Sequence, residues 1–536
     1  MRRSLALLIP LGLLAGTLGA GADPTFDPQR TQRVLQSNAG GTNANGDEFG
    51  AAVAGGDLDG DGYDELAVGA PSDGGVGTLF VFPGSASGLM AGLHRFESNG
   101  QRAGVPSPEV VGDSFGGALV LGNFDADPQA ELVVGAPGRA GGAGAVFVFQ
   151  GDAGQGLLGS SGVWFDSSQL GCGAVTAGDQ FGAALAAGDF NGDSYDDLAI
   201  GAPGASSGAG KICVVPGNFG GLADGTGAAY FQNTNDYTAS FIEAGDRFGA
   251  ALAAGHFGSD AFADLVIGAP GEAPGTSPAG GEVEVWFGKD AISIGDFFAS
   301  GVAFIESDVP AQFIEAGDSF GQALAAPAVA GVSDQLFVGA PGDLGGLAAS
   351  FYFGPGGPSP GFTWNQSYLC CVGPSEVSES GDGYGVALEA TDIDGNGSDE
   401  LVVGVSSEDA AAGMIMLYSD VSLAGFALAR SYRIADLLPS NGVSHAGSYF
   451  GEALASGDFN GDGRGEVAVG APVEHIGGIA AGAVYVVPEP PGSALGAVAT
   501  LAIAALGAGS RRSSSSGSTA GIGGNFEART RSRVSP

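Results

Sequence analysis

Short stretches dense in carboxylates recur along the chain. One reads Asp57-Leu58-Asp59-Gly60-Asp61-Gly62-Tyr63-Asp64-Glu65, and two others carry Asp392, Asp394, Asn396, Ser398 and Glu400, and Asp458, Asn460, Asp462, Arg464 and Glu466. Counted from the first acid, oxygen side chains fall mainly at positions 1, 3, 5 and 9, with glycine at 6 for a sharp turn. The backbone carbonyl at position 7 (Tyr63, Ser398 or Arg464) can turn inward. Hard oxygen donors in this number and flexibility suit calcium better than magnesium or zinc. Two further stretches are close variants. One offers Asn123, Asp125, Asp127 and Glu131, with Pro128 at position 6; the other offers Asp189, Asn191, Asp193, the Tyr195 carbonyl and Asp197, with Ser194 where glycine is preferred. Four or five calcium ions are expected. Crowded carboxylates are costly unless a cation neutralises them, and the chain holds 59 acidic against 18 basic side chains, a formal net charge of −41.

The same frame marks where binding should fail. His256 and Gly258 leave only Asp260 and Asp264 in a fourth-unit loop, and the stretch from Pro327 to Leu336 has lost the pattern. Both are expected to be empty. Position 8 is acidic at Asp64, Asp196 and Asp399 but is Gly465 in the last copy, which reads as a solvent-facing position. An EF-hand is excluded: it needs a bidentate glutamate at position 12 and flanking helices, whereas position 12 here is Val68, Ile200, Val403 or Val469.

The elements that hold these loops repeat. Phe-Gly occurs at Phe49, Phe115, Phe181, Phe248, Phe320 and Phe450, and Tyr384-Gly385 fills the remaining slot, at spacings of 66, 66, 67, 72, 64 and 66 residues. Gly-Ala-Pro follows at Gly69, Gly135, Gly201, Gly268, Gly339 and Gly470, with Gly404-Val405-Ser406 in the sixth copy. A fixed period calls for a repeat architecture. Each unit reads as four short strands; in the third they are 164–168, 182–187, 197–201 and 212–215. The expected fold is all-β: a seven-bladed β-propeller of four-stranded antiparallel blades over 23–487, closed by the N-terminal strand at 31–36. Phenylalanine should plug the space between blades, the neighbouring glycine should let backbones approach, and proline should end ladder pairing. Cys172 and Cys213 fall in one unit, and a bridge between them is left open; Cys370 and Cys371 read as part of a surface loop.

These motifs resemble the FG-GAP repeats of the integrin α-subunit head. The resemblance implies calcium ligands at the side chains of positions 1, 3, 5 and 9 and the carbonyl of position 7. It also implies adhesion to an extracellular protein or polysaccharide. The chain lacks an inserted adhesion domain between units two and three. Alternatives from other classes are a structural envelope or matrix component, and a hydrolase or lyase acting on extracellular polysaccharide. No enzyme is expected, since none of His94, His256, His445 and His475 sits in a nucleophile–base pattern. The acidic charge argues against a nucleic-acid partner.

The two ends read as addresses. Arg2-Arg3, an apolar run from Leu5 to Leu18 and Ala20-Gly21-Ala22 form a secretory signal over 1–22. Pro488-Glu489-Pro490, an uncharged stretch and Arg511-Arg512 resemble the PEP-CTERM signal of Gram-negative bacteria over 488–512, followed by a polar tail at 513–536. That resemblance implies an exosortase-type enzyme as partner and membrane contact through this segment alone. An ordinary C-terminal anchor is the other reading.

Overall fold

The strand that follows the acidic-loop position in each unit is a short unbroken apolar run, such as Leu132-Val133-Val134-Gly135-Ala136, and such a run is stable only when buried on both faces. In the computed structural model these strands are buried throughout. The structure describes residues 31–488, apart from 92–93, 98–110, 155, 158–161, 223–224, 233–242, 259, 274–279, 291–296, 306–307, 309–315, 328–333, 344–345, 355–356, 365–380, 396, 423–424 and 438–444. Both terminal addresses (Pro488 apart), Cys370, Cys371 and Asn396 therefore lie outside the described residues. Among the described residues no helix is long and apolar enough to cross a membrane.

Seven four-stranded antiparallel sheets form the blades. Blade 1 comprises Ala52–Gly56, Glu65–Ala70, Thr78–Phe82 and His94–Glu97, and blade 2 comprises Ala118–Gly122, Glu131–Ala136, Ala145–Phe149 and Val163–Phe165. Blades 3 to 6 repeat the order from Ala184–Gly188, Ala251–Gly255, Ala323–Ala325 and Tyr384–Thr391. Blade 7 has Leu454–Gly457, Glu466–Ala471 and Ala483–Val487, and its outer strand is Gln32–Val34 from the other end of the chain. Gln32 faces Val486, Arg33 faces Tyr485 and Val34 faces Val484. Successive first strands pack side by side around the ring, where Ala-Leu pairs such as Ala184-Leu185 and Ala453-Leu454 line a central cavity of about 260 Å³.

The strand before each Phe-Gly is the outer strand of the preceding blade, as closure of the ring by the N-terminal strand requires: Val163–Phe165 closes blade 2. The chain changes blades at Phe-Gly itself. Phe181 N–H donates to Ala143 O of blade 2, while Gly182 N–H donates to Gly201 O of blade 3.

Phenylalanine plugs the junctions as expected. Phe115 is fully buried, meets Phe147 of its own blade edge-on at 4.9 Å, and shares a cluster with Ala67, Leu79 and Val81 of blade 1. Every apolar cluster combines two adjacent blades, so the core is split into one packet per junction. Tyr384 takes the plug position in blade 6, and its buried hydroxyl pairs with that of Tyr418.

The two glycine motifs meet. A methyl on Gly69 would lie 2.0 Å from Gly116 O of the next blade, and the same 2.0–2.1 Å approach recurs from Gly135, Gly201, Gly268, Gly339 and Gly404 to the following Phe-Gly or Tyr-Gly carbonyl, and from Gly470 to Gly50. Gly-Ala-Pro and Phe-Gly are therefore the two halves of one backbone contact.

Cys172, in the turn after the outer strand of blade 2, is bonded to Cys213 on the third strand of blade 3, with a Cα–Cα distance of 5.7 Å and a sequence separation of 41. Reduction is expected to cost about 3 kcal/mol. Urea unfolding with and without reductant checks this; Cys213→Ser should reproduce the loss.

Candidate metal centres

Each acidic loop joins the first and second strands of its blade, so all share one end of the ring. The residue at position 1 is the hub. Asp57 Oδ1 accepts from Gly60 N at 2.6 Å, and its Oδ2 accepts from Gly62 N at 3.1 Å. Asp189 accepts likewise from Gly192 and Ser194, Asp392 from Gly395 and Gly397, and Asp458 from Asp462 and Gly463. Ser194 takes the turn with φ at 73°, a left-handed conformation that disfavours a side chain.

Position 2 and position 9 lock the loop to its blade. The fully buried side chains of Leu58, Phe124, Phe190, Ile393 and Phe459 enter the junction beneath the loop. Their backbone N–H groups donate to one oxygen of Glu65, Glu131, Asp197, Glu400 and Glu466 at 2.8–3.1 Å. At Glu131, Glu400 and Glu466 a carboxylate oxygen also joins the loop acids. Glu400 Oε1 is buried and has no hydrogen-bond partner among the described residues. Burial, reinforced by neighbouring loop carboxylates, pushes Glu65, Glu131, Asp197 and Glu400 up to about 8.

Four loops bring three carboxylate oxygens within 4.8 Å of one another: Asp57, Asp59 and Asp61; Asp125, Asp127 and Glu131; Asp392, Asp394 and Glu400; and Asp458, Asp462 and Glu466. Pro128 does not open the second loop, because Gln129 N still donates to Asp127 Oδ1 at 3.1 Å. Gln150, which the loop motif does not contain, can donate its amide nitrogen to Glu131 and Asp125, at 3.2 and 3.1 Å, once its amide takes the flipped orientation that the neighbouring acceptors require. In the third loop Asp197 Oδ1 is drawn toward Asn191 Nδ2 and Gly217 N, so no such trio forms there among the described residues. Glu65 stays out of the first trio, held by the amides of Leu58 and Gly84. Clustered hard oxygens, several on groups whose charge burial opposes, fit a divalent cation that would supply the missing positive charge.

A family model for the FG-GAP repeat matches residues 49–82, 181–215 and 450–487. These three segments, in blades 1, 3 and 7, are similar to FG-GAP repeats. Integrin alpha-4 of Xenopus laevis is 32% identical over 181 residues, covering 33% of this chain and 16% of that protein. Integrin alpha-PS5 of Drosophila melanogaster is 36% identical over 169 residues, with 30% and 16% covered. Phosphatidylinositol-glycan-specific phospholipase D of Bos taurus is 34% identical over 170 residues, with 30% and 19% covered. The chain thus spans less than a fifth of the length of these relatives. A crystal structure of exotype rhamnogalacturonan lyase YesX aligns over 86% of this chain and 76% of that one, at 12% identity and a TM-score of 0.41. No chemistry follows from that likeness.

The degenerate loops are closed by their own contacts. In unit four, both Asp264 oxygens are taken by backbone amides of Phe257, Gly258 and Gly288, and its carboxyl rises only to about 6. His256 Nδ1 meets Phe262 O at 2.9 Å, which closes the loop on itself. In unit five the ninth position is Gln335, an uncharged buried amide.

Position 8 corrects the sequence reading. It does not face solvent: Asp64 and Asp196 are half-buried and reach the loop of the preceding blade. Asp64 Oδ2 accepts from Asp458 N at 2.7 Å, and Asp196 Oδ2 accepts from Asn123 N at 2.9 Å. Gly465 is glycine for a steric reason, since a methyl there would lie 2.0 Å from Thr391 Oγ1. Position 4 has a matching constraint. Added methyls at Gly60, Gly192, Gly395 and Gly461 would strike or press on the position-7 side chains Gln129, Phe262, Arg464 and Tyr63 of the next blade. The surviving acid of the degenerate fifth loop, Asp334, was the available signal; its Oδ2 accepts from His256 N at 2.7 Å.

One Ser/His/Glu group occurs beside blade 7. Ser448 Oγ donates to Glu474 and to His445 O, and His445 Nδ1 contacts the same Glu474 carboxylate at 2.9 Å. The hydroxyl and imidazole thus share an acceptor instead of facing each other, which is not a nucleophile–base pair.

Proposed function

We propose that the chain is an exported, calcium-binding propeller that acts as an adhesion or ligand-binding module at the cell surface or outside the cell. Calcium is held by the side chains at positions 1, 3, 5 and 9 and the position-7 carbonyls of blades 6, 7, 1, 2 and 3. The carrying observation is the set of three-carboxylate clusters at one end of the ring. The named integrin relatives support adhesion to an extracellular protein, with a polysaccharide as the alternative ligand. The terminal segment at 488–512 engages an exosortase-type enzyme during export. No catalytic residue is assigned.

The test is a glycan and matrix-protein array probed with residues 23–487, in calcium and in chelator. Saturable binding that disappears with chelator and returns with calcium is expected. Release of reducing ends would place the protein among polysaccharide hydrolases or lyases, and absence of saturable binding would favour a structural envelope role.

A further inference from the structure

We propose that Asp64 and Asp196 are positioning residues for the cation loop of the blade before their own, so that loops 7 and 1, and loops 2 and 3, load as pairs. The inference rests on the calcium reading above.

Neither carboxylate serves its own loop. Asp64 leaves loop 1 and accepts from the backbone of Asp458, the hub of loop 7, while Asp64 N donates back to Asp458 O at 3.0 Å. Asp196 and Asn123, which opens loop 2, make the same reciprocal pair, with Asp196 N to Asn123 O at 2.8 Å. The seat of each hub is thus fixed from the next blade. A second contact joins loops 7 and 1: the Tyr63 ring lies so close to Gly461 that a methyl there would sit 2.5 Å from it. Tyr63 is also the residue whose carbonyl would complete site 1. Ordering either loop therefore restrains the other.

The remaining junctions separate this tie from mere proximity. Ala130 N to Asp57 O, Ala263 N to Asp189 O and Gly465 N to Asp392 O keep the backbone bond at 2.9–3.2 Å where position 8 has no carboxylate. Asp334 keeps the full pair with His256, although the fourth loop retains only Asp260 and Asp264 and the fifth has lost the pattern. The carboxylate tie is therefore part of the junction, and the cation loops inherit it at the 7/1 and 2/3 junctions.

The experiment uses the full chain with calcium itself, and reads the calcium-dependent rise in melting temperature in a double-mutant cycle. Asp59→Asn alters a side chain of loop 1, and Asp462→Asn alters an exposed side chain of loop 7 and touches no ligand of loop 1. Paired loading should make the two losses non-additive, by an amount equivalent to about fivefold or more in calcium affinity, the range of an ordinary coupling between sites. Asp64→Asn keeps an acceptor oxygen and should retain this coupling, while Asp64→Ala should weaken it. Additive losses overturn the coupling and leave the calcium reading intact. A melt of the parent that does not respond to calcium overturns the calcium reading itself. Should Asp64→Ala fail to fold, the cycle of Asp59→Asn and Asp462→Asn decides alone.

Discussion

At pH 8, excess chelator is expected to lower the melting temperature by about 10 °C relative to millimolar calcium, and at pH 5 the difference should nearly vanish. Calcium at a hundred times its dissociation constant stabilises a folded site by about 2.7 kcal/mol, so four loops give about 11 kcal/mol. For a domain of this size that corresponds to about 10 °C. The pH dependence follows from Glu65, Glu131, Asp197 and Glu400, which burial holds near 8 without a cation. A carboxyl whose folded value is raised binds its proton more tightly in the native state. Its stabilising effect is complete below the unfolded value of about 4.3 and is lost as pH rises toward 8. The chelated protein should therefore weaken across that window. Calcium needs the same groups deprotonated, so its binding strengthens as pH rises. Scanning calorimetry between pH 5 and 8 checks both curves, and a chelator-insensitive melt at pH 8 would remove the case for structural calcium.

Gly135→Ala should unfold or nearly unfold the ring, at a cost of about 3 kcal/mol or more. The new methyl would lie 2.1 Å from Gly182 O. Relaxation is blocked from both sides, because Phe181 N is bonded to blade 2 and Gly182 N to Gly201 O at 3.0 Å. Gly141→Ala provides the contrast. Nothing lies within 4 Å of its added methyl, and its φ of 72° costs about 1 kcal/mol. Urea midpoints of the two variants should differ by most of the calculated gap. Equal midpoints would mean that the glycine contact between blades yields easily.

The ring was legible because its evidence is periodic. Phe-Gly and Gly-Ala-Pro recur in register, and the strand at Thr31 to Gln36 has no counterpart after Val487, which points to closure by the first strand. The acids at positions 1, 3, 5 and 9 were legible for the same reason. What a single sequence hides is contact between copies. Asp64 looks like a spare acid beside its own loop, yet its partner Asp458 is 394 residues away. Gly60 and Gly461 look like ordinary turn residues, and only the neighbouring Gln129 and Tyr63 explain them. In unit three every ligand position is filled, while the diversion of Asp197 toward Gly217 depends on a residue twenty positions beyond it.

The pairing of Gln32–Val34 with Ala483–Val487 also sets an order in time. Six blades are built from neighbouring stretches of chain and can form as those stretches appear. The seventh must bring together two segments separated by nearly the whole propeller, and loop closure over such a distance is slow. An emerging chain therefore waits with an open seam until its last strand arrives. Until then, the unpaired edges of Gln32–Val34 and Ala483–Val487 are where a wrong partner, including another copy of the same strand, can intervene.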